Sequence, residues 1–199
     1  AGASEGIDPG ARGQLAGFAE QSGAALLGGY EKALPVQIAM MDIFEVSAGG
    51  GSIARVDSDG ALHVGPQSAG AIPGPACYPD GGDEPTVTDA NLLLGRLDPD
   101  RFLGGEMALD IAAAESAMKT HLAEPLDMDL TTAADGILQI ATTAMSYAVK
   151  GVTTERGFDV GNFALVAYGG AGPLHASAVA RELGIRNVVI PRAPGGFSA

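Results

Sequence analysis

FALVAYGGAGPLHASAVARELGIRNVVI, residues 163–190, decides the fold. Phe163–Tyr168 is almost wholly apolar and short, which predicts a buried strand. Gly169–Pro173 is a tight turn, and Pro173 suits the first turn of a helix because its missing N–H has no partner to lose there. Leu174–Leu183 then reads as a helix, with Gly184 as its C-terminal cap. Asn187–Ile190 is a second strand. Strand, glycine turn, helix and strand in that order predict an α/β fold with parallel strands.

Upstream, Thr131–Val152 is the strongest helical pattern. Ala134, Ile137, Leu138, Ala141, Met145, Ala148, Val149 and Val152 form a wide apolar face, and Thr131 or Thr132 is placed to cap it. Asp110–Leu122 predicts another helix, capped by Asp110, with Ile111, Ala114, Met118 and Leu122 in one stripe. Ile53–Val56 and Ala61–Val64, joined by Asp57-Ser58-Asp59-Gly60, predict a β-hairpin in which Gly60 takes a positive φ. Val36–Met41 and Ile43–Val46 read as apolar strands, Gln14–Leu27 as a short helix, and Ala1–Gly13 as loop. Between hairpin and helices, Gly65–Asn91 carries prolines at 66, 73, 75, 79 and 85, which forbid a helix through most of it. Loops of this length are uncommon and often functional. A short helix is expected over Asp89–Leu94.

Composition narrows the function classes. A net charge of −13 gives no electrostatic footprint for nucleic acid or an anionic membrane. There is no apolar run long enough to span a bilayer, and no signal-peptide pattern. The single cysteine, Cys77, allows no disulfide within the chain and fits a reducing cytoplasm. Glycine is about twice as frequent as the usual 7%, and it clusters at turns. Ala1 in place of Met, and a final turn at 194–199, predict a piece of a longer chain.

Three features are candidates for chemistry. Gly169, Gly170 and Gly172 lie between a strand and a helix, where glycines allow close approach of a ligand and helix N–H groups favour an anion. Tight packing would use the same residues. Gly49, Gly50, Gly51 and Ser52 can wrap a phosphate or carbonyl oxygen with backbone N–H groups, or simply turn a hairpin. In the long loop, Asp80, Asp83, Glu84 and Asp89 offer carboxylates, and Thr86 and Thr88 hydroxyls. Asp89 is the candidate catalytic residue. Its place at a helix start suits a magnesium ligand, a general base or an N-cap. His63, His121 and His175 lack metal-ligand spacing, and Cys77 has no identifiable base, which favours a buried structural thiol.

Several stretches together resemble the hydantoinase A / 5-oxoprolinase family: PVQIAMMDIFEVSAGGGSIARVD at 35–57, the run at 64–105 containing GPACY, PTVTDAN and LGRLDP, and the run at 149–185 containing GGAGPLHA. The resemblance covers 28–199, a central domain truncated at both ends, and leaves 1–27 unassigned. It implies an actin-like, ribonuclease H-like ATPase fold. Gly169, Gly170 and Gly172 would then stand near ATP, and Gly49–Ser52 near phosphate or substrate, with Mg2+ or Mn2+ as the accompanying ion. The implied activity is ATP-dependent opening of a cyclic amide by phosphorylation of its carbonyl oxygen. The alternatives are an ATP-dependent ketone carboxylase subunit and a non-catalytic nucleotide-binding or structural subunit. A small-molecule substrate, a B-type partner subunit, an oligomeric assembly and a cytoplasmic location go with the resemblance. The family's Asp-Gly-Gly-Thr phosphate loop would lie upstream of this sequence. Phe44 and Glu45 stand where some members carry a His after Asp-Ile.

Overall fold

The computed structural model describes residues 43–196. The chain divides into two units, 1–45 and 46–199, and the second carries the fold described here. The helix expected at Gln14–Leu27 and the strand at Val36–Met41 lie outside the described residues. Ile43–Val46 takes no regular structure. Ile43 is 71% exposed, so the expected buried strand is not found there.

The hairpin forms as its sequence predicts. Strands β1 (Ser52–Val56) and β2 (Leu62–Ser68) pair antiparallel, with Val56 opposite Leu62 and Ala54 opposite Val64. Gly60 adopts φ +80°, the left-handed conformation that only glycine takes without strain. The Asp57 carboxylate accepts hydrogen bonds from the amides of Asp59 and Ala61 and closes the turn.

Helix α1 (Val87–Leu93) begins two residues earlier than expected. Helix α2 (Ile111–Met118) has the predicted Asp110 cap, whose side chain accepts from the Ala113 amide. It runs on through a π turn at Lys119–Ala123. Ala114, Met118 and Leu122 are buried, but Ile111 is 44% exposed and lies off the stripe. Helix α3 (Leu130–Val152) is the spine. Its cap is Asp129, which accepts from the Thr132 amide, rather than Thr131 or Thr132. Asp is among the strongest N-caps, and the Thr132 hydroxyl adds a second bond to it.

One cluster joins the hairpin, α1, α2 and the N-terminal half of α3 through Ala54, Val87, Met118, Leu122, Ile137, Leu138 and Ala141. Burying each large side chain there contributes about 1.5–3 kcal/mol. Met145 and Val149, further along α3, pack on a second cluster of Val179, Ala180, Leu183 and Ile185.

That second cluster belongs to the C-terminal strand–helix–strand unit. Strand β3 (Ala164–Val166), helix α4 (Gly172–Leu183) and strand β4 (Asn187–Val189) follow in order, and β3 pairs parallel with β4. Pro173 lies in the first turn of α4, and Gly184 caps its C-terminus with φ +73°. The strand is not buried as expected. Leu165 packs on the α4 cluster, but Val166 is 44% and Phe163 45% exposed. A parallel strand is buried only when both faces of its sheet are covered. Among the described residues, one face of this two-stranded sheet is covered.

The 69–86 loop is ordered by close backbone contact. A Cβ on Gly81 would stand 2.0 Å from the Pro75 carbonyl oxygen and 3.0 Å from that of Tyr78. Gly81→Ala is expected to destabilise the fold by about 1–3 kcal/mol, measured as a shift in the denaturant unfolding midpoint. An unchanged midpoint would show that the loop yields freely.

Candidate functional site

The two glycine loops that the sequence singles out separately meet in space. A Cβ placed on Gly50 would stand 3.9 Å from the Ala171 Cβ and 2.8 Å from the Thr88 hydroxyl. Three segments far apart in sequence therefore converge: the Gly49–Ser52 loop before β1, the start of α1, and the Gly169–Gly172 turn before α4.

Within the first loop every glycine carbonyl is engaged. Gly49 O accepts from the Ser52 amide at 3.0 Å, and Gly51 O from the Ala69 amide at 2.9 Å. Gly50 O accepts from both the amide and the hydroxyl of Thr88, each at 2.9 Å. The Ser52 hydroxyl accepts from the Gly49 amide and donates to Ser47 O, so it closes its own loop. The amides of Gly50 and Gly51, by contrast, make no hydrogen bond among the described residues. Successive free amides on a turn whose carbonyls are held form a concavity suited to an anionic or carbonyl oxygen.

The second loop has the same character. Gly169 takes φ +82°, and its amide donates to Pro194 O at 2.7 Å. The amides of Gly170, Ala171 and Gly172 have no partner among the described residues. No described residue lies within 4 Å of a Cβ placed on Gly170 or Gly172, so among the described residues this side of the turn is open. The first N–H groups of α4 add the favourable end of the helix dipole.

Asp89 has a different character. It is fully buried at the third position of α1, where it forms a capping box with Thr86. Its carboxylate accepts from the Thr86 amide (2.8 Å), the Thr86 hydroxyl (2.7 Å), the Cys77 amide (2.7 Å) and the Ala76 amide (3.3 Å). A carboxylate with four donors and no solvent exposure anchors the loop, three of the bonds falling on Oδ2 and one on Oδ1. Of the roles the sequence offers Asp89, the hydrogen bonds among the described residues display the capping one, shared with Thr86 at the start of α1. Asp80, Asp83 and Glu84 are not buried with it. Among the described residues no three Asp, Glu, His or Cys side chains come together to hold a metal ion.

Cys77 and His175 are both packed inside. Burial first, and then the Asp89 carboxylate beside it, push the Cys77 thiol far above its ordinary range, which removes the thiolate a nucleophile needs. His175, just inside α4, is 1% exposed, and neither ring nitrogen has a partner among the described residues. Burial and the nearby Arg96 charge lower its pKa, so the ring is neutral. Thr88 is the residue that sequence reading underrated. The signal was its place in PTVTDAN beside the expected helix start, but only folding shows which carbonyl it holds.

A family model described as Hydantoinase/oxoprolinase matches residues 18–199. The chain belongs to the hydantoinase/oxoprolinase family. Within that family it is 44% identical over 164 residues to the caprolactamase subunit alpha of Pseudomonas jessenii, covering 82% of this chain and 24% of that protein. It is 45% identical over 160 residues to the acetophenone carboxylase gamma subunit of Aromatoleum aromaticum, covering 80% of this chain and 22% of the other. The crystal structure of the ATP-dependent caprolactamase from Pseudomonas jessenii superimposes with a TM-score of 0.70 at 47% identity, over 75% of this chain and 22% of that one. The chain thus spans about a quarter of the length of these relatives. The mixed α/β fold and the family expected from the sequence both hold, and the family match reaches upstream of residue 28. No helix among the described residues is long and apolar enough to cross a membrane.

Two expectations follow. Asp89→Asn sets an amide against N–H donors and is expected to cost about 2–3 kcal/mol of stability, read by denaturant unfolding. If stability held while turnover vanished, Asp89 would be a reacting group after all. Cys77 is expected to resist iodoacetamide at pH 8 in the folded protein and to react on unfolding, followed by mass spectrometry. Rapid labelling of the folded state would contradict its burial.

Proposed function

We propose that this chain forms one wall of the ATP site in an ATP-dependent cyclic amide hydrolase of the hydantoinase/5-oxoprolinase type. The observation that carries this reading is the pair of neighbouring glycine loops, close enough that a Cβ on Gly50 would lie 3.9 Å from the Ala171 Cβ. Gly50 and Gly51 on one, and Gly170, Ala171 and Gly172 on the other, have amides with no partner among the described residues, and the second turn is open at Gly170 and Gly172. Phosphate oxygens are the ligand such a set of donors suits best. The likeness to an enzyme whose crystal structure is described as an ATP-dependent caprolactamase supports the same choice. The parallel β3–α4–β4 unit, with its glycine turn after the strand, supports an actin-like, ribonuclease H-like ATPase fold for the whole protein.

ATP supplies the activation that an amide lacks. The nitrogen lone pair makes an amide carbonyl a poor electrophile, and phosphorylation of its oxygen makes the carbon open to water. In this reading the chain's own contribution is positional. The free amides hold phosphate oxygens, Gly170 and Gly172 keep the approach unobstructed, and the α4 dipole favours the negative charge. Mg2+ or Mn2+ accompanies the phosphates in this reading, although among the described residues no three Asp, Glu, His or Cys side chains come together to hold it. The whole protein acts in the cytoplasm, in an oligomer with a B-type subunit.

A second reading, a ketone carboxylase subunit, draws support from the 45% identity to the acetophenone carboxylase gamma subunit. Phosphate release by the full-length protein separates the two. Stimulation by hydantoin, 5-oxoproline or a lactam supports hydrolysis, and stimulation by a ketone with bicarbonate supports carboxylation. Stimulation by neither leaves a non-catalytic subunit. Gly170→Asp and Gly172→Asp should each weaken ATP binding by about tenfold or more, because a carboxylate beside a triphosphate repels it. Unchanged affinity in both variants would remove the nucleotide site from this turn.

A further inference from the structure

We infer that Thr88 is a positioning residue for the ligand of the glycine loops, acting through Gly50. The inference rests on the nucleotide-site reading above and deepens it. Gly50 O accepts both the Thr88 amide and the Thr88 hydroxyl, so one residue on α1 fixes the middle peptide of the Gly49–Ser52 loop. The peptide whose carbonyl Thr88 holds carries the Gly51 N–H, one of the loop's two unengaged amides. Rotation of that peptide would re-aim the Gly51 amide, and Thr88 prevents it with two bonds where a turn peptide commonly has one. The hydroxyl also sets the clearance of the loop. It stands 2.8 Å from where a Gly50 Cβ would be, and the Ala171 side chain bounds the same point at 3.9 Å. Thr88 is 8% exposed, so its hydroxyl is shielded and its bond to Gly50 is not diluted by competition with water.

Thr88 is held in turn by the elements on either side. Its helix is capped by Thr86 and Asp89, and Asp89 also ties in the amides of Ala76 and Cys77. The neighbouring strand residue Ile53 bridges Thr86, and the Ala54 amide donates to Pro85 O, which docks β1 onto the approach to α1. The loop is thus fixed to α1 twice, at its middle through Thr88 on Gly50 and after Ser52 through β1. A carbonyl held on a rigid frame, with its peptide N–H unpartnered among the described residues, is preorganised for an oxygen ligand.

The test uses the full-length protein and a fluorescent ATP analogue, with the melting temperature of every variant recorded. Thr88→Val removes the hydroxyl and keeps the backbone N–H, and should raise Kd about tenfold, the worth of one shielded hydrogen bond. Thr88→Ser restores the hydroxyl and should bind within about threefold of the parent, a rescue that loss of packing would not give. Gly50→Ala reads the same contact from the other side. Its Cβ meets the Thr88 hydroxyl, so Gly50→Ala should weaken binding, and Gly50→Ala/Thr88→Ala should weaken it by less than the product of the single effects. If Thr88→Val melts early, this double-variant comparison decides. Thr88→Val binding as tightly as the parent, while Gly170→Asp binds weakly, overturns the role of Thr88 and leaves the nucleotide site standing. Unchanged binding in both overturns both. Additive effects at Gly50 and Thr88 likewise overturn the inference.

Discussion

The Asp89 carboxylate sits in the interior with no solvent exposure and receives four hydrogen bonds on its two oxygens. Two come from Thr86, at the start of α1, and two from the amides of Ala76 and Cys77 across the proline-rich loop. A buried carboxyl is costly unless it is hydrogen-bonded, and here three backbone amides and one hydroxyl supply the donors. The consequence reaches well past one residue. The loop 69–86 has no helix or strand of its own, so its path is set by this carboxylate and by glycines such as Gly81 that let backbones touch. The same interaction caps α1, and α1 presents Thr88 to the glycine loop.

The rest of the site depends on α3. Its N-terminal half packs against the hairpin, α1 and α2, and Met145 and Val149 pack against α4 and the parallel strand pair. One rigid helix therefore fixes the distance between the two halves that carry the glycine loops. The nearness of Gly50 to Ala171, whose Cβ would lie 3.9 Å from a Cβ at Gly50, is the outcome of that spacing. The long apolar stripe of the helix and the closeness of the two loops are linked causes, one of packing and one of placement.

Much of this was legible in the residues. The hairpin followed from Asp57–Gly60, α2 from its Asp110 cap, α4 from Pro173 and Gly184, and the parallel pair from the order of elements. Each signal is local, since it depends on φ, on a cap or on periodicity within a few residues. The family was legible as well, because GPACY, PTVTDAN and GGAGPLHA keep their order along the chain. The errors were of another sort. Val166 and Phe163 were expected inside because apolar strands usually are, yet burial depends on what covers a face, and one face is covered among the described residues. Thr131 or Thr132 was expected to cap α3, while Asp129 does so.

Asp89 marks the boundary most clearly. The sequence by itself determined that an acidic residue stands at a helix start in a loop rich in proline, and that two glycine runs flank strands. It determined these things because dihedral preference and capping act over three or four residues. Only the tertiary structure decided that Asp89 is enclosed by backbone donors, that Ser52 closes its own loop, and that Gly50, Thr88 and Ala171 meet. Those outcomes turn on the placement of segments far apart in sequence, and that placement exists only once the core has fixed where each segment lies.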